Sequence, residues 1–531
     1  MKRTISAALL AGALILPAGC SDYLDVNTNP NAPEVVAANV YLPPMLHWLA
    51  TSPQFDGRYS GHYTQEWIST SGTANGITGL TIQQSWGRHG YDPGNDNGAQ
   101  QWRDVYWTFG QNLVDMNAKA QAEQRWDLLG VGLILKAWGW QALTDLHGEI
   151  IVKQAIDATR FSFDYDSQEY AYKEVKTLLD SAIVLLQRTD GAVDKNYLSK
   201  GDAIYAGDRV KWLRFAYGFR ALHLNHYSNK AVYNPAAVIA DVDQSFTGNA
   251  DDALLQYPST QPNDDRNFYG PTRANMPLYR QTQFSVNLMN GTQFGGIVDP
   301  RMSRMLSIDS ARTTYIGLDP NVLGFGTIPA PQQPRNLWGY VGSGGAGQPS
   351  KYLFADKTKM PIMTYAQLQF IKAEAAYRSG NVSLAKTAYV NGISSHIDFV
   401  NARNLDDGQT PTQITSAEKA AFLASTPIVP ATVTLSHIMS QKYIAQWGWG
   451  HNELWMDMRR YHYTDLDPVS GTQVFRGFAI PNTLYPDNAG KTAQRIRPRY
   501  NSEYVWNIPA LSVIGGLKLD YHTVPMWITL P

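Results

Sequence analysis

The sequence predicts a mainly α protein, a scaffold of paired helices interrupted by one long loop-rich stretch, on three observations. Apolar residues recur at helical spacing in several segments that carry helix start and stop signals. From about Phe246 to Lys359 the texture changes to Gly, Pro, Asn and Gln. And 15 Trp, 30 Tyr and 17 Phe stand in a chain with only 17% charged residues, so rings are numerous enough to be presented at a surface as well as buried.

The first element is not part of the fold. Lys2 and Arg3 open the chain, Ile5 to Leu16 is an apolar run too short to span a bilayer, and Ala18-Gly19 stand before Cys20, the only cysteine among 531 residues. A lone cysteine closes no intrachain disulfide and supports no thiolate metal site. Placed just after a signal-peptide cleavage point, Cys20 resembles the lipidated cysteine of a bacterial lipobox, although Pro17 occupies a position where a lipobox usually carries Leu. A plain signal peptide with an incidental cysteine is the alternative. Residues 1–19 are thus expected to be a lipoprotein signal peptide and residues 20–531 a single mature domain. Losing Lys2 and Arg3 moves the formal charge from −1 to −3, and no basic tract follows a phosphate backbone, which sets nucleic acid aside.

Next comes "SWGRHGYDPGNDNGAQQW". Trp86 and Tyr91 lie in a Gly-rich loop beside Arg88, Asp92, Asn95 and Asp96. Sugars are held by rings that stack on their C–H faces and by planar amide, carboxylate and guanidinium groups that take the hydroxyls, so this loop is a candidate glycan-binding loop. A structural turn is the rival reading. The "DPGNDNG" spacing fails the EF-hand pattern, because Gly98 at the turn position would put Pro93 where the first Asp belongs.

The helical scaffold is predicted over roughly 100–245 and 360–465. Asp127 to His147 carries Ile134, Trp138, Ala142 and Leu146 on one stripe, Tyr172 to Leu186 repeats the pattern with Leu178, Ala182 and Leu185, and Arg209 to Tyr227 is a third helix. In "TYAQLQFIKAEAAYRSGNVSLAKTAYVNGI", Thr364 and Gln367 form a capping box, Gly380-Asn381 stops the helix and Ser383 caps the next. Ala373, Ala375 and Ala376 allow an antiparallel partner to pack closely, which makes the pair a tetratricopeptide-like hairpin. A last helix is predicted from about Leu435 to Tyr461.

Other motifs carry no chemistry. "GSGGAG" over 342–347 has the glycines of a dinucleotide fingerprint, but Gln-Pro-Ser follows it instead of a helix, so no cofactor is expected. His223 and His226 share a helical face without an evident third ligand, so no metal is expected. Neither H-E-x-x-H nor G-x-S-x-G occurs.

Taken in order, "DYLDVNTNPNAP", "QALTDLHGEI", "YDSQEYAYKEVKTLLDSAI", "GDRVKWLRFAYGFRALHL", "VDPRM", "YAQLQFIKAEAAYRSGN", "IMSQKYIAQWGWGHNELWMDMRRY" and "RPRYNSEYVWN" resemble the SusD/RagB family of nutrient-binding outer-membrane lipoproteins over nearly the whole mature chain. The resemblance implies a mainly α fold, a superhelical scaffold of tetratricopeptide-like helix pairs with a large loop-rich ligand-binding face over roughly 246–359. It implies a non-enzymatic role: cell-surface capture of an oligosaccharide, or a peptide in some members, for delivery to a SusC-like TonB-dependent transporter. Asp22 fits the acidic residues such systems use for surface export. By position, Trp86 and Tyr91 fall in one ligand loop of the family and Trp338 and Tyr340 in another, while Arg459 and Arg460 match its scaffold as ion-pair formers. The alternative from another class is a surface glycoside hydrolase, which needs two carboxylates facing one pocket.

Overall fold

The structure is a computed structural model and describes residues 36–70, 84–87, 96–260, 265–308, 313–339, 351–408 and 412–531. Cys20 and the glycine run at 342–347 lie outside the described residues. The longer elements are α1 (Leu42–Tyr63), β1 (Trp67–Ser69), α2 (Gly110–Ala122), α3 (Trp126–His147), α4 (Gln168–Gln187), α5 (Arg209–His226), α6 (Pro235–Gln244), β2 (Ala253–Gln256), β3 (Tyr279–Gln281), β4 (Lys359–Met363), α7 (Tyr365–Arg378), α8 (Val382–Arg403), α9 (Leu435–Gln446) and α10 (His451–Arg460).

Local chemistry sets the helix ends. The side chains of Ser167, Asp208 and Thr364 accept N–H groups from the first turns of α4, α5 and α7. The expected capping box at α7 forms only in part: Thr364 accepts from Gln367 N, but Gln367 Oε1 is buried without a hydrogen-bond partner, so nothing returns to the cap. α8 is capped by Asn381 and not by Ser383, because the chain turns into the helix two residues earlier than expected.

Successive helices pack side by side, α3 on α4, α4 on α5, α5 on α6, α6 on α7 and α7 on α8. This stacking of pairs is the tetratricopeptide-like array. Two glycines allow the close approach: a Cβ at Gly130 would meet Leu186 at 2.7 Å, and one at Gly392 would meet Phe370 at 2.8 Å. The core has two parts. Leu128, Leu135, Val175, Leu179, Trp212 and Phe215 fill the space among the earlier helices. A ring-rich part under the loops gathers Tyr63, Trp67, Tyr269, Trp447, Trp455 and Phe478. α7 joins them, with Leu368, Ile371 and Ala375 facing the first and Phe370, Ala373 and Ala376 facing the second.

The loop-rich stretch leaves and re-enters the scaffold at one place. β2 pairs antiparallel with β4, Leu255 opposite Met360 and Gln256 opposite Lys359.

The predicted helix over Leu435 to Tyr461 is broken into α9 and α10. Gly448 adopts φ +90° between them, and its N–H donates to Glu66 Oε1 at 2.9 Å, so a carboxylate takes the group that the broken helix frees. Behind the break lies a buried ion cluster. Lys442 Nζ sits 2.7 Å from Asp457 and 3.0 Å from Glu453, Arg460 bonds Glu374 at 2.8 Å and Asp457 at 2.5 Å, and His226 Nε2 lies 2.7 Å from Glu453 Oε2. Arg460 therefore forms ion pairs as expected. Arg459 differs: its guanidinium donates to the carbonyls of Trp455 and Gln494 and lies over the Trp455 ring, so it serves backbone oxygens and a π face.

Candidate functional site

The loop-rich face is organised by a small frame. β1 and β3 pair antiparallel with Trp67 opposite Gln281, Ile68 opposite Arg280 and Ser69 opposite Tyr279. Single bridges add Asn336 beside Arg280 and Leu318 beside Thr282. These short strands form where Trp67 and Ile68 are buried and the chain extends between loops, so few pairs suffice once the rings beneath are packed.

Gln281 does most of the stitching. Its Nε2 donates to Ser307 O at 3.0 Å and to Ile316 O at 2.9 Å, while its Oε1 accepts from Ser307 N at 2.8 Å. One buried amide thereby stands in for a strand of backbone. Ser307 Oγ in turn donates to Leu337 O, Thr70 N donates to Leu278 O, and Gln84 Nε2 donates to Val322 O at 2.9 Å. Thr70, Ser307 and Leu337 are thus fastened to this frame, and Gln84 to the stretch that follows Leu318. Arg280 is buried in it with its guanidinium 5.2 Å from the Phe325 ring, and burial, with the charge of Arg335 adding to it, pulls its pKa down to about 10.

The rings expected to stack on sugar are placed elsewhere. Trp86 is 1% exposed, packed between Tyr63, Tyr463 and Phe478, and Trp338 is 6% exposed with its indole N–H donated to Tyr269 O. Both are core residues with no free face, which corrects their reading as sugar platforms. The apolar area of an indole is worth more under the loops than against water. Asp96 is also committed: it pairs with Arg499 at 2.7 Å and accepts from Asn501 N and Nδ2, pinning the Tyr500–Trp506 helix. Arg88, Tyr91, Asp92, Asn95 and Tyr340 lie outside the described residues.

Carboxyl groups with shifted pKa values are held by the scaffold. Burial raises Asp56 to about 6 and Asp252 to about 8, yet Asp56 accepts the N–H groups of Gln100 and Gln101, and Asp252 accepts that of Tyr365. Asp145 is raised for the same reason and accepts Gln141 Nε2 at 2.8 Å. Both histidines are held by protein groups, His223 by Gln141 Oε1 and His226 by Glu453, Tyr172 and, at 3.4 Å, Gln141 Nε2. Among the described residues no group of three or more His, Cys, Asp or Glu is placed to hold a metal ion. Arg280, Gln281 and Asn336 are the site residues that sequence reasoning missed, since an isolated Gln or Arg in a loop carries no periodic signal.

A family model described as "Starch-binding associating with outer membrane", of SusD-like type, matches residues 31–486. No curated protein matches the sequence. Among solved structures, a SusD/RagB family protein from Bacteroides thetaiotaomicron is similar at 20% identity and TM-score 0.68, over 93% of this chain and 99% of that one. A SusD homolog from Bacteroides fragilis is similar at 18% identity and TM-score 0.69, over 93% and 100%. A chitin-binding SusD homolog from Flavobacterium johnsoniae is similar at 19% identity and TM-score 0.66, over 93% and 98%. At such identities these likenesses carry the fold.

Proposed function

Because this chain belongs to the SusD-like family, we propose that it is a nutrient-capture lipoprotein that binds an oligosaccharide at the cell surface and delivers it to a SusC-like TonB-dependent transporter. The observation that carries this reading is the family match over 31–486, a family described as starch-binding and associated with the outer membrane. The chitin-binding description of the Flavobacterium structure adds a second polysaccharide of the same neutral class. Support from below is local: Ser307 Oγ fixes Leu337 shortly before Tyr340, and Gln84 is fixed shortly before Arg88, two of the groups proposed, with Tyr91, Asp92 and Asn95, to face the sugar. Anchorage through lipid on Cys20 agrees with the finding that no helix among the described residues is long and apolar enough to cross a membrane.

Capture without chemistry makes a direct demand on experiment. Calorimetric titration of the mature chain with maltohexaose, chitohexaose and a peptide panel is expected to give saturable binding to a glycan that is recovered intact. Shortened glycan in the same mixtures would establish a hydrolase instead, and binding confined to peptides would move the ligand class.

A further inference from the structure

A cavity of about 430 Å³ opens beside the segment Asp104–Phe109, lined by no residue of the frame. That segment is a π-helical turn between the Gln100–Arg103 helix and α2. Its wider winding breaks the helical phase: Trp102, Val105 and Phe109 are buried, while Trp107 is turned out and 68% exposed. The Arg103 guanidinium lies 4.7 Å from the Trp107 ring. The opposite walls come from the loop after α3 and from the Tyr500–Trp506 helix with its cap Arg499.

Three further features of this cavity point to a ligand. Ile156, a β-branched residue, lines it at φ +63°, a backbone region that such side chains enter only under constraint. Arg499 Nε and Ser502 Oγ are buried on its wall, and neither makes a hydrogen bond. Glu503 Oε2 accepts from Tyr165 OH at 2.6 Å and from Asn507 Nδ2 at 2.8 Å, which orients its carboxylate. The ionic groups balance, Arg103 and Arg499 against Glu503 and the Asp96 that pairs with Arg499. A charged ligand would gain nothing from such a wall, whereas a neutral polyhydroxylated ring would find a flat apolar face, a guanidinium N–H and a hydroxyl with open valence.

We propose that this cavity is a second carbohydrate-binding site, in which a pyranose unit of a neutral glycan stacks on Trp107 and hydrogen-bonds Arg499 and Ser502. The proposal rests on the glycan reading above and adds to it. Because none of the residues that make the cavity belongs to the β1–β3 frame, one long polymer could engage both places, and linking two weak sites raises apparent affinity for long chains over short ones.

The test is affinity gel retardation of the full mature chain in gels containing glycol chitin or soluble starch, beside titration with chitohexaose and maltohexaose. Trp107→Ala is expected to weaken retardation by the polymer at least about fivefold while changing hexaose affinity much less. Trp107→Phe is expected to restore most of the retardation. Melting temperature should not move in either variant, since the ring is exposed. Polymer retardation equal in wild type and Trp107→Ala would overturn this site and leave the capture reading in place. Binding of neither glycan by the wild type would overturn both.

Discussion

At the scale of single residues, the frame depends on Gln281 more than on the strands it belongs to. Gln281→Leu keeps the volume but leaves Ser307 N and O buried without the partner they have now, and takes one from the half-buried Ile316 O. An unpaired buried polar group costs about 1–3 kcal/mol, so the loss should be of that order or somewhat larger, read as a lower denaturation midpoint. Glycan affinity should fall with it, because the stretches at Ser307 and Ile316 lose their common anchor. His226 gives a prediction in pH. Burial works against its charged form, but the carboxylates of Glu453 and Asp145 outweigh burial and hold its pKa above the ordinary value. Its contribution to stability is therefore fully present below about pH 6.5 and is lost as pH rises through the raised native value. Melting temperature should drop as pH rises above about 6.5 in the wild type, and less steeply in His226→Gln. None of these roles is legible in sequence, where Gln281 is a lone polar residue and His226 shows only its place beside His223 on a helical face. Trp86 and Trp338 illustrate the converse, since a Trp in a Gly-rich loop looks the same in sequence whether its ring meets a ligand or the core beneath.

At the scale of elements, periodicity and caps were informative and phase breaks were not. The Asp127, Tyr172, Arg209 and Thr364 segments became α3, α4, α5 and α7, because apolar stripes, and in the last three polar caps, are local properties. The break between α9 and α10 was hidden, since "QWGWGHN" continues an apolar run and the reason for stopping, Glu66, lies far away in the chain. The π-helical turn was hidden in the same way, because one extra residue in a winding leaves composition unchanged. Gly448→Ala probes the break alone. A Cβ there would meet Phe354 and Tyr352 at 3.6 Å, ordinary van der Waals contact, so the expected loss of about 1–2 kcal/mol comes from the left-handed backbone and not from a clash, and equilibrium unfolding in denaturant measures it.

At the scale of the whole molecule, the fold class was the most legible feature, because repeated helix pairs and a long turn-rich stretch are properties of the entire chain. The proposed ligand face was the least legible, since its frame is assembled from stretches apart in sequence, around Trp67, Tyr279, Leu318 and Asn336. The proposed anchor makes a prediction at this scale: Cys20→Ser should move the protein from the membrane to the soluble fraction and abolish incorporation of labelled fatty acid, with no change in glycan affinity. One contact described above also sets a schedule. Glu66 receives Gly448 N–H across 382 positions and lies 2.9 Å from His451. At roughly 5–20 residues per second, a ribosome needs on the order of 20–80 s to deliver that partner. Through that interval the carboxylate has Thr64 Oγ1 of its own segment but not its later partners, so the core beneath β1 closes among the last parts of the protein and no fragment ending before Gly448 can complete it.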